Sequence, residues 1–344
     1  MIACCFKHRL CTRHSPEDSP VMLSLTDKLF IWLVTGPLAI CTIFFNMYLL
    51  LVIQRSYRKK HKLNPCDFII SAIAVASIFQ QIFTYLWQTI DEIDVVCTIH
   101  LTAAILLVLI FSLKLIIFWS TAFLTFYYGT KLVVEPVHCY TRIQEGIMKH
   151  VHTVLAVICV CGFVNCMPML TILDHYNSTS DVNDCGSIMP SDSDGYAYIF
   201  YYVVISDIIP GIVMVKCSIS IAYHLNKHLM EMKASSNGAH GPKLGTQMRV
   251  IRMTLSLVVV FICFVVVDVF TQATVVLMKQ NTMTLTILFA SIYTAVSAAV
   301  MVYGKKSHWK ELIASYNIFL DEYPCLSGLK VSEVKAEPHD NEHH

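Results

Sequence analysis

The chain has 344 residues, of which 56% are hydrophobic and 14% are charged, and its net charge is +1. Soluble globular proteins carry about 25% charged residues, so this composition excludes an ordinary soluble domain and indicates a membrane protein. The sequence has no basic stripe with interleaved aromatic residues, which argues against nucleic acid as a partner.

Seven apolar runs are long enough to cross a bilayer, which requires about 20 residues at about 1.5 Å per residue. In chain order they are residues 29–53, 67–89, 97–129, 153–173, 197–222, 250–277 and 282–303. Asn64-Pro65 precedes the second run as a helix cap and a first-turn proline. Pro37, Pro168 and Pro210 lie inside runs, where a proline kinks a helix. We predict an all-α membrane protein, a seven-transmembrane helix bundle of the G-protein-coupled receptor type.

The predicted bundle divides the chain into four segments. They are 1–28, an extracellular amino-terminal segment; 29–303, the receptor domain; 304–320, an amphipathic juxtamembrane helix; and 321–344, a disordered cytoplasmic tail. The third segment places apolar side chains at helical spacing, which predicts a helix along the inner leaflet. Those side chains are Trp309, Leu312, Ile313, Tyr316 and Leu320. Met22 is an alternative start, because the first run begins almost directly after it.

Lysine and arginine are concentrated in alternate loops. They follow the first, third, fifth and seventh runs, as in "QRSYRKKHK" at residues 54–62, whereas the other loops carry mainly aspartate and glutamate. By the positive-inside rule, the amino terminus lies outside the cell and the carboxyl terminus inside. We therefore predict a multi-pass protein of the plasma membrane, with membrane lipids around it.

Two features of the predicted outer loops are typical of cell-surface proteins. Asn177-Ser178-Thr179 is a glycosylation sequon in the second outer loop. Cys97 and Cys185 both face an oxidising compartment, where they form either a disulfide or two free thiols. We predict a glycan on Asn177 and leave both states of the cysteine pair open.

The sequence carries no signature of catalysis. There is no H-E-x-x-H, nucleophile elbow or phosphate loop, so we predict neither an enzyme nor a cofactor. A retinal protein would need a lysine in the last run, and residues 282–303 contain none. The amino-terminal cysteines and histidines match no standard zinc spacing, so we predict no metal site. These residues are Cys4, Cys5, His8, Cys11 and His14.

Lys114 interrupts the apolar run "LLVLIFSLKLIIFW" at residues 106–119. It lies near the middle of the third run, about 25 Å from either end, which is too far for a lysine stem to reach water. A charge at the bilayer centre costs about 2.5–3.5 kcal/mol, so it should face the bundle interior and have an acidic partner. Asp207 and Asp268 lie at a suitable depth, and we predict that one of them holds Lys114.

Four stretches at the ends of the runs carry a family pattern. They are "LNPCDFII" (63–70), "WSTAFLTFYYGTK" (119–131), "HLNKHLMEM" (224–232) and "QMRVIRMTLS" (247–256). These stretches resemble the type 2 (bitter) taste receptor family, and the resemblance covers about residues 25–312. The Asp-Arg-Tyr and Asn-Pro-x-x-Tyr signatures of rhodopsin-like receptors are absent. Departures such as Gln247, where the family has a histidine, indicate a divergent member.

The resemblance implies a chemosensory receptor that binds small organic molecules in the upper bundle and activates a heterotrimeric G protein. Lys114 falls five residues before Trp119, where the family typically has a ligand-contacting asparagine. We therefore expect Lys114 to line the ligand cavity and to meet an acidic or hydrogen-bonding agonist. The candidate ligand-binding residues are Lys114, Asp207, Asp268, Ile110 and Phe111.

The predicted cytoplasmic ends of the third, fifth and sixth spans are candidate contacts for the carboxyl-terminal helix of a Gα subunit. The residues concerned are Tyr128, Lys131, His228, Met232 and Arg252. Two alternatives remain. Within the receptor class, the chain also fits a vomeronasal type 1-like pheromone receptor. Outside it, the alternative is a multispan transporter or channel, which would show flux without a G protein.

Overall fold

The computed structural model describes residues 25–61, 64–93, 100–132, 146, 149–179, 193–235, 244–278, 283–304 and 306–322. Spans 1 to 4 are the helices Leu25–Lys60, Pro65–Ile93, His100–Leu132 and Val151–Thr179, and spans 6 and 7 are Leu244–Met278 and Met283–Gly304. Span 5 combines the helix Ser193–Val203, the π-helical turn Val204–Ile208 and the helix Ile209–Ser235. The predicted seven-helix architecture is confirmed, because seven helices contain apolar segments of 22 to 31 residues.

Span 3 is the central helix of the bundle. It packs against spans 2, 4 and 5 and also contacts span 6. In its most apolar stretch 67% of the residues are buried, against 22% in span 4, which lies at the periphery. A side chain in the middle of span 3 therefore meets protein on nearly all sides rather than lipid.

The outward faces of the helices are apolar and the interior holds many polar residues, as a lipid solvent demands. Phe30, Ile40, Phe200 and Phe270 are 67%, 71%, 74% and 70% exposed. Several interior hydroxyl groups hydrogen-bond to a carbonyl within their own helix. Thr42 Oγ1, for example, donates to the carbonyl of Leu38 one turn back, at 2.7 Å.

An aromatic cluster joins spans 3, 6 and 7. The ring of Phe118 lies 5.0 Å from Phe261, 5.3 Å from Phe264 and 4.9 Å from Tyr293, each pair in an edge-to-face arrangement. This geometry is the one that aromatic quadrupoles favour. Phe118 is one helical turn beyond Lys114 on span 3, so the cluster lies directly next to the buried lysine.

The proline expected to kink span 5 coincides with a local change of helix type. Pro210 has no N–H to donate to the carbonyl of Ser206, and its ring crowds that carbonyl. The preceding turn widens to π-helical, with the N–H of Ile209 donating to Val204 O. Trp119 on span 3 donates its indole N–H to Ile205 O at 3.1 Å. The widened turn is therefore anchored to the central helix.

The helix Lys306–Glu322 follows span 7 and contacts spans 1 and 7. Its first turn meets the bundle where the rings of Tyr303 and Trp309 lie 5.4 Å apart. Leu312 packs against the hydrophobic core and Leu320 is buried, whereas Ile318 is exposed. The chain thus forms the helix expected after span 7. Its placement along a membrane surface stays a prediction.

Candidate ligand site and coupling face

A buried ionic cluster of three side chains lies in the middle of the bundle. Lys114 Nζ is 2.6 Å from Asp268 Oδ2, and 3.3 Å and 3.4 Å from the two carboxylate oxygens of Asp207. The lysine is 2% exposed and both aspartates are 0% exposed. The sequence predicted one acidic partner for Lys114, and the structure provides two. We call Lys114, Asp207 and Asp268 the triad; it joins spans 3, 5 and 6.

The π-helical turn places Asp207 in the triad. This turn spans Val204–Ile208 and inserts its extra residue between the amino-terminal part of span 5 and Pro210. A π-bulge rotates the helix residues that precede it relative to those that follow it, and π-bulges are frequent at functional sites. The hydroxyl of Ser206 also hydrogen-bonds to Asp207 Oδ2. Asp207 is thereby held by its own helix as well as by Lys114.

Aromatic rings surround the lysine ammonium. The ring centroids of Phe118, Tyr202 and Phe264 lie 5.3 Å, 5.5 Å and 5.4 Å from Lys114 Nζ. At these distances the negative face of a ring attracts a cation. The ammonium thus has two carboxylates and three rings around it, which offsets the cost of removing it from water.

The triad contains two carboxylates and one ammonium, so its formal charges do not balance. Within the part of the chain that the structure describes, Asp268 Oδ1 has no hydrogen-bond partner. A buried charged oxygen without a partner is costly, and it is an acceptor for any donor that reaches it. The triad therefore favours ligand groups that donate hydrogen bonds or carry a positive charge over ligand groups that are acidic.

A narrow cleft lies next to the triad, at the end of the bundle where spans 5 and 7 begin and span 6 ends. This is the end predicted to face outside. The cleft is nearly closed in this structure, with a cavity volume of about 10 Å³, and aromatic and methionine side chains dominate its walls. The lining residues are Phe111, Met169, Tyr198, Ile199, Tyr202, Gln272 and Met283. An apolar cleft with a few polar groups is the usual form of a small-molecule site.

Tyr202 and Phe111 connect the cleft to the triad. Both residues line the cleft, and their rings meet edge to face with centroids 5.2 Å apart. The hydroxyl of Tyr202 donates to the carbonyl of Phe111 at 3.0 Å, while its ring faces Lys114 Nζ. These two side chains form the floor of the cleft and lie between it and the triad.

Of the five predicted ligand-binding residues, Phe111 lines the cleft. Ile110 is buried in the neighbouring hydrophobic cluster, and Lys114, Asp207 and Asp268 lie beneath the floor of the cleft; none of these four is among its lining residues. Tyr202 and Gln272 also line the cleft and were not predicted from the sequence. The aromatic run "YIFYYVV" at 198–204 was a usable signal, because Tyr198 and Tyr202 are one turn apart and precede Asp207 on span 5.

The opposite end of the bundle holds the predicted coupling residues. Tyr128 is buried, and its hydroxyl contacts Cys66 Sγ of span 2 at 2.5 Å. Arg252 is exposed at the start of span 6. The side chains of Lys131, His228 and Met232 lie outside the described part of the structure. The structure therefore brings Tyr128 into contact with span 2, and the coupling role of all five residues stays a prediction.

The outer-loop predictions fall largely outside the described residues. Cys97 and Cys185 are both outside them, so the choice between a disulfide and free thiols stays open. The backbone of Asn177 belongs to the last turns of the helix Val151–Thr179, past the apolar segment that ends at Ile172. Its side chain is not described, and its glycosylation stays a prediction.

Comparison with known protein families gives a match over most of the chain. The sequence model of the family described as Taste receptor protein (TAS2R) matches residues 22–313. A comparison with individually curated proteins found no match. The family match agrees with the resemblance found in the sequence and decides against the vomeronasal type 1-like alternative. The chain therefore belongs to the taste receptor (TAS2R) family of seven-transmembrane, G-protein-coupled receptors.

Proposed function

We propose that this protein detects bitter small molecules in the cleft above the triad and activates a heterotrimeric G protein at the opposite end of the bundle. The observation that carries the proposal is the triad itself, which ties three spans together directly beneath an aromatic cleft. In the proposed orientation the cleft opens outside the cell and the coupling end lies in the cytoplasm, as the loop charges predict.

The proposed agonists are apolar molecules that carry a hydrogen-bond donor or a protonated amine. The cleft walls favour apolar and aromatic groups, and Gln272 offers a polar contact at its edge. The sequence left both acidic and hydrogen-bonding agonists open. In an arrangement in which the floor of the cleft opens toward the triad, an acidic agonist would have to compete with two carboxylates already on Lys114, whereas a donor would find an available oxygen on Asp268.

The proposed transmission begins at Tyr202. A ligand that enters the cleft contacts its ring and changes its position over Lys114. Because Lys114 holds Asp207 and Asp268 on different spans, a change in the triad alters how spans 5 and 6 pack against span 3. A ligand shifts such an equilibrium only by binding one arrangement better than the other. The cleft is narrow in this structure, so we propose that agonists favour a more open arrangement.

The aromatic cluster of Phe118, Phe261, Phe264 and Tyr293 continues this path toward the cytoplasmic end. It packs spans 3, 6 and 7 against one another next to the triad, so span 6 cannot rotate without repacking these rings. At the end of the path we propose Tyr128, Lys131, His228, Met232 and Arg252 as the surface that contacts the Gα carboxyl-terminal helix.

A calcium-release screen tests the proposal. Cells expressing the receptor with a taste-type Gα subunit are exposed to bitter compounds, in matched sets of neutral, basic and acidic molecules. We expect responses that require the Gα subunit and that come mainly from neutral donors and amines. Flux of the compound or of ions without any Gα subunit would instead indicate the transporter or channel alternative.

A further inference from the structure

A second groove lies on the membrane-facing side of spans 1 and 2, far from the ligand cleft. Its volume is about 380 Å³, and it is lined by Leu50, Ile53, Gln54 and Tyr57 of span 1 and by Ser71 of span 2. These residues belong to the end of span 1 that the loop charges place at the cytoplasmic surface. The groove is therefore at the depth of the inner leaflet.

The groove changes from apolar to polar to cationic along span 1. Leu50, Gln54, Tyr57 and His61 follow at spacings of four, three and four residues, which places them on one helix face. The deepest position is aliphatic, the next two carry an amide and a phenol, and the last is an imidazole. From Leu50 to His61 the helix rises about 16 Å, which is about half the thickness of a bilayer core.

The end of span 1 holds basic side chains next to this face. The helix ends at Lys60, and His61 follows with a positive φ of 50° while its N–H donates to Tyr57 O at 2.8 Å. This left-handed residue closes the helix, as a capping residue does. Arg58 and His61 are both exposed, and they follow Tyr57, the last span 1 residue that lines the groove. The chain from 54 to 62 contains five lysines and arginines and no acidic residue.

We propose that this groove binds one anionic phospholipid of the cytoplasmic leaflet. The acyl chain lies against Leu50 and Ile53, and the glycerol ester region meets Gln54 and Tyr57. The phosphate and an acidic headgroup meet Arg58 and His61. A basic segment directly cytoplasmic of a transmembrane helix attracts anionic lipid, and the groove gives that attraction a defined place. A neutral lipid would leave the cationic end of the groove without a counter-charge.

Lipid retention on the purified receptor tests this proposal. The receptor is placed in nanodiscs of phosphatidylcholine with and without phosphatidylserine, and the lipids that remain bound are identified by native mass spectrometry. We expect selective retention of one phosphatidylserine. Arg58→Gln should weaken retention about fivefold, because each basic residue near an anionic surface contributes a factor of this size.

Two matched variants separate the groove from general surface charge. Lys59→Gln also removes one positive charge, but the side chain of Lys59 points about 100° further around the helix than that of Arg58. We expect this variant to retain phosphatidylserine like the wild type. Gln54→Trp fills the groove at an exposed position without changing any charge, and it should displace the lipid. Thermal stability of each variant in detergent verifies folding. Three outcomes would overturn the proposal. They are an equal loss of phosphatidylserine in Arg58→Gln and Lys59→Gln, unchanged retention of phosphatidylserine in Gln54→Trp, and retention of phosphatidylcholine equal to that of phosphatidylserine.

Discussion

Lys114 Nζ lies 2.6 Å from Asp268 Oδ2, and this buried ion pair joins the central helix to span 6. In such surroundings each charge depends on its partners, because breaking a buried pair from one side leaves the other charge uncompensated. The triad therefore holds spans 3, 5 and 6 together, and a small change next to it has a large effect on how these spans pack.

The first prediction concerns Lys114→Met. Methionine leaves two buried carboxylates without their cation, at a cost of about 3–5 kcal/mol. We expect a lower surface level and a lower melting temperature in detergent.

The control for this prediction is the triple variant Lys114→Met, Asp207→Asn, Asp268→Asn, which removes all three charges together. It should recover most of the stability, since a neutral cluster no longer carries unpaired charge. Wild-type stability of Lys114→Met alone would contradict the role assigned to the ion pairs.

The second prediction concerns Tyr202, the floor of the cleft. Tyr202→Phe removes the hydrogen bond to Phe111 O and keeps the ring, so agonist potency should fall by about fivefold, the usual size of one hydrogen bond. Tyr202→Leu also removes the ring next to Lys114, and its loss should exceed tenfold. Potency is measured from concentration–response curves in the calcium assay.

Tyr201→Phe is the matched control. Tyr201 directly precedes Tyr202 on the same helix, but its side chain is 45% exposed. It should keep the wild-type potency. If Tyr201→Phe and Tyr202→Phe lower potency equally, the cleft floor has been assigned to the wrong side of span 5.

The third prediction concerns the contact between spans 3 and 4. A Cβ atom at Gly162 would lie 2.5 Å from Ile116 Cγ1, whereas a Cβ atom at Gly129 would meet nothing closer than Cys217 Cβ at 3.6 Å. Gly162→Ala should therefore destabilise the bundle by about 1–3 kcal/mol through overpacking. Gly129→Ala should be neutral or slightly stabilising, because alanine favours the helix. Thermal unfolding in detergent compares the two, and equal melting temperatures would contradict the close approach.

The fourth prediction concerns the coupling face. Lys131→Ala and His228→Ala should lower the maximal response and leave agonist potency and surface level nearly unchanged, because these residues are assigned to the G-protein contact rather than to the ligand. Lys243→Ala serves as the control, since Lys243 precedes the sixth span in the sequence and is not among the five predicted coupling residues. Unchanged maximal responses in both coupling variants would contradict the assignment.

The seven spans were predictable because the bilayer imposes a long apolar run on every helix that crosses it. The acidic partner of Lys114 was predictable because a charge inside the membrane is costly enough to require one. The sequence did not predict that both aspartates contact Lys114. Span 5 changes to a π-helical turn before Pro210, and the sequence does not show how far this turn rotates Asp207 around the helix axis.

The cleft residues were harder to find from the sequence. Span 3 is apolar on nearly every side, so its periodicity does not tell which of Ile110 and Phe111 faces the cleft. Tyr202 belongs to an aromatic run in which Tyr198 and Tyr202 are buried while Phe200 and Tyr201 are exposed, and only the packed structure separates them.

If the triad couples the cleft to the cytoplasmic end, then Asp268→Asn should change the activity of the receptor. The substitution balances the charges of the triad while weakening the shortest contact between spans 3 and 6. We measure Gα activation without agonist, normalised to surface level, in Asp268→Asn and in Asp207→Asn. A coupling free energy of ordinary size predicts about a tenfold rise in basal activity for Asp268→Asn. It predicts a smaller rise for Asp207→Asn, whose contacts with Lys114 are longer. If the basal activity and agonist response of Asp268→Asn equal those of the wild type, the triad does not couple the cleft to the cytoplasmic end.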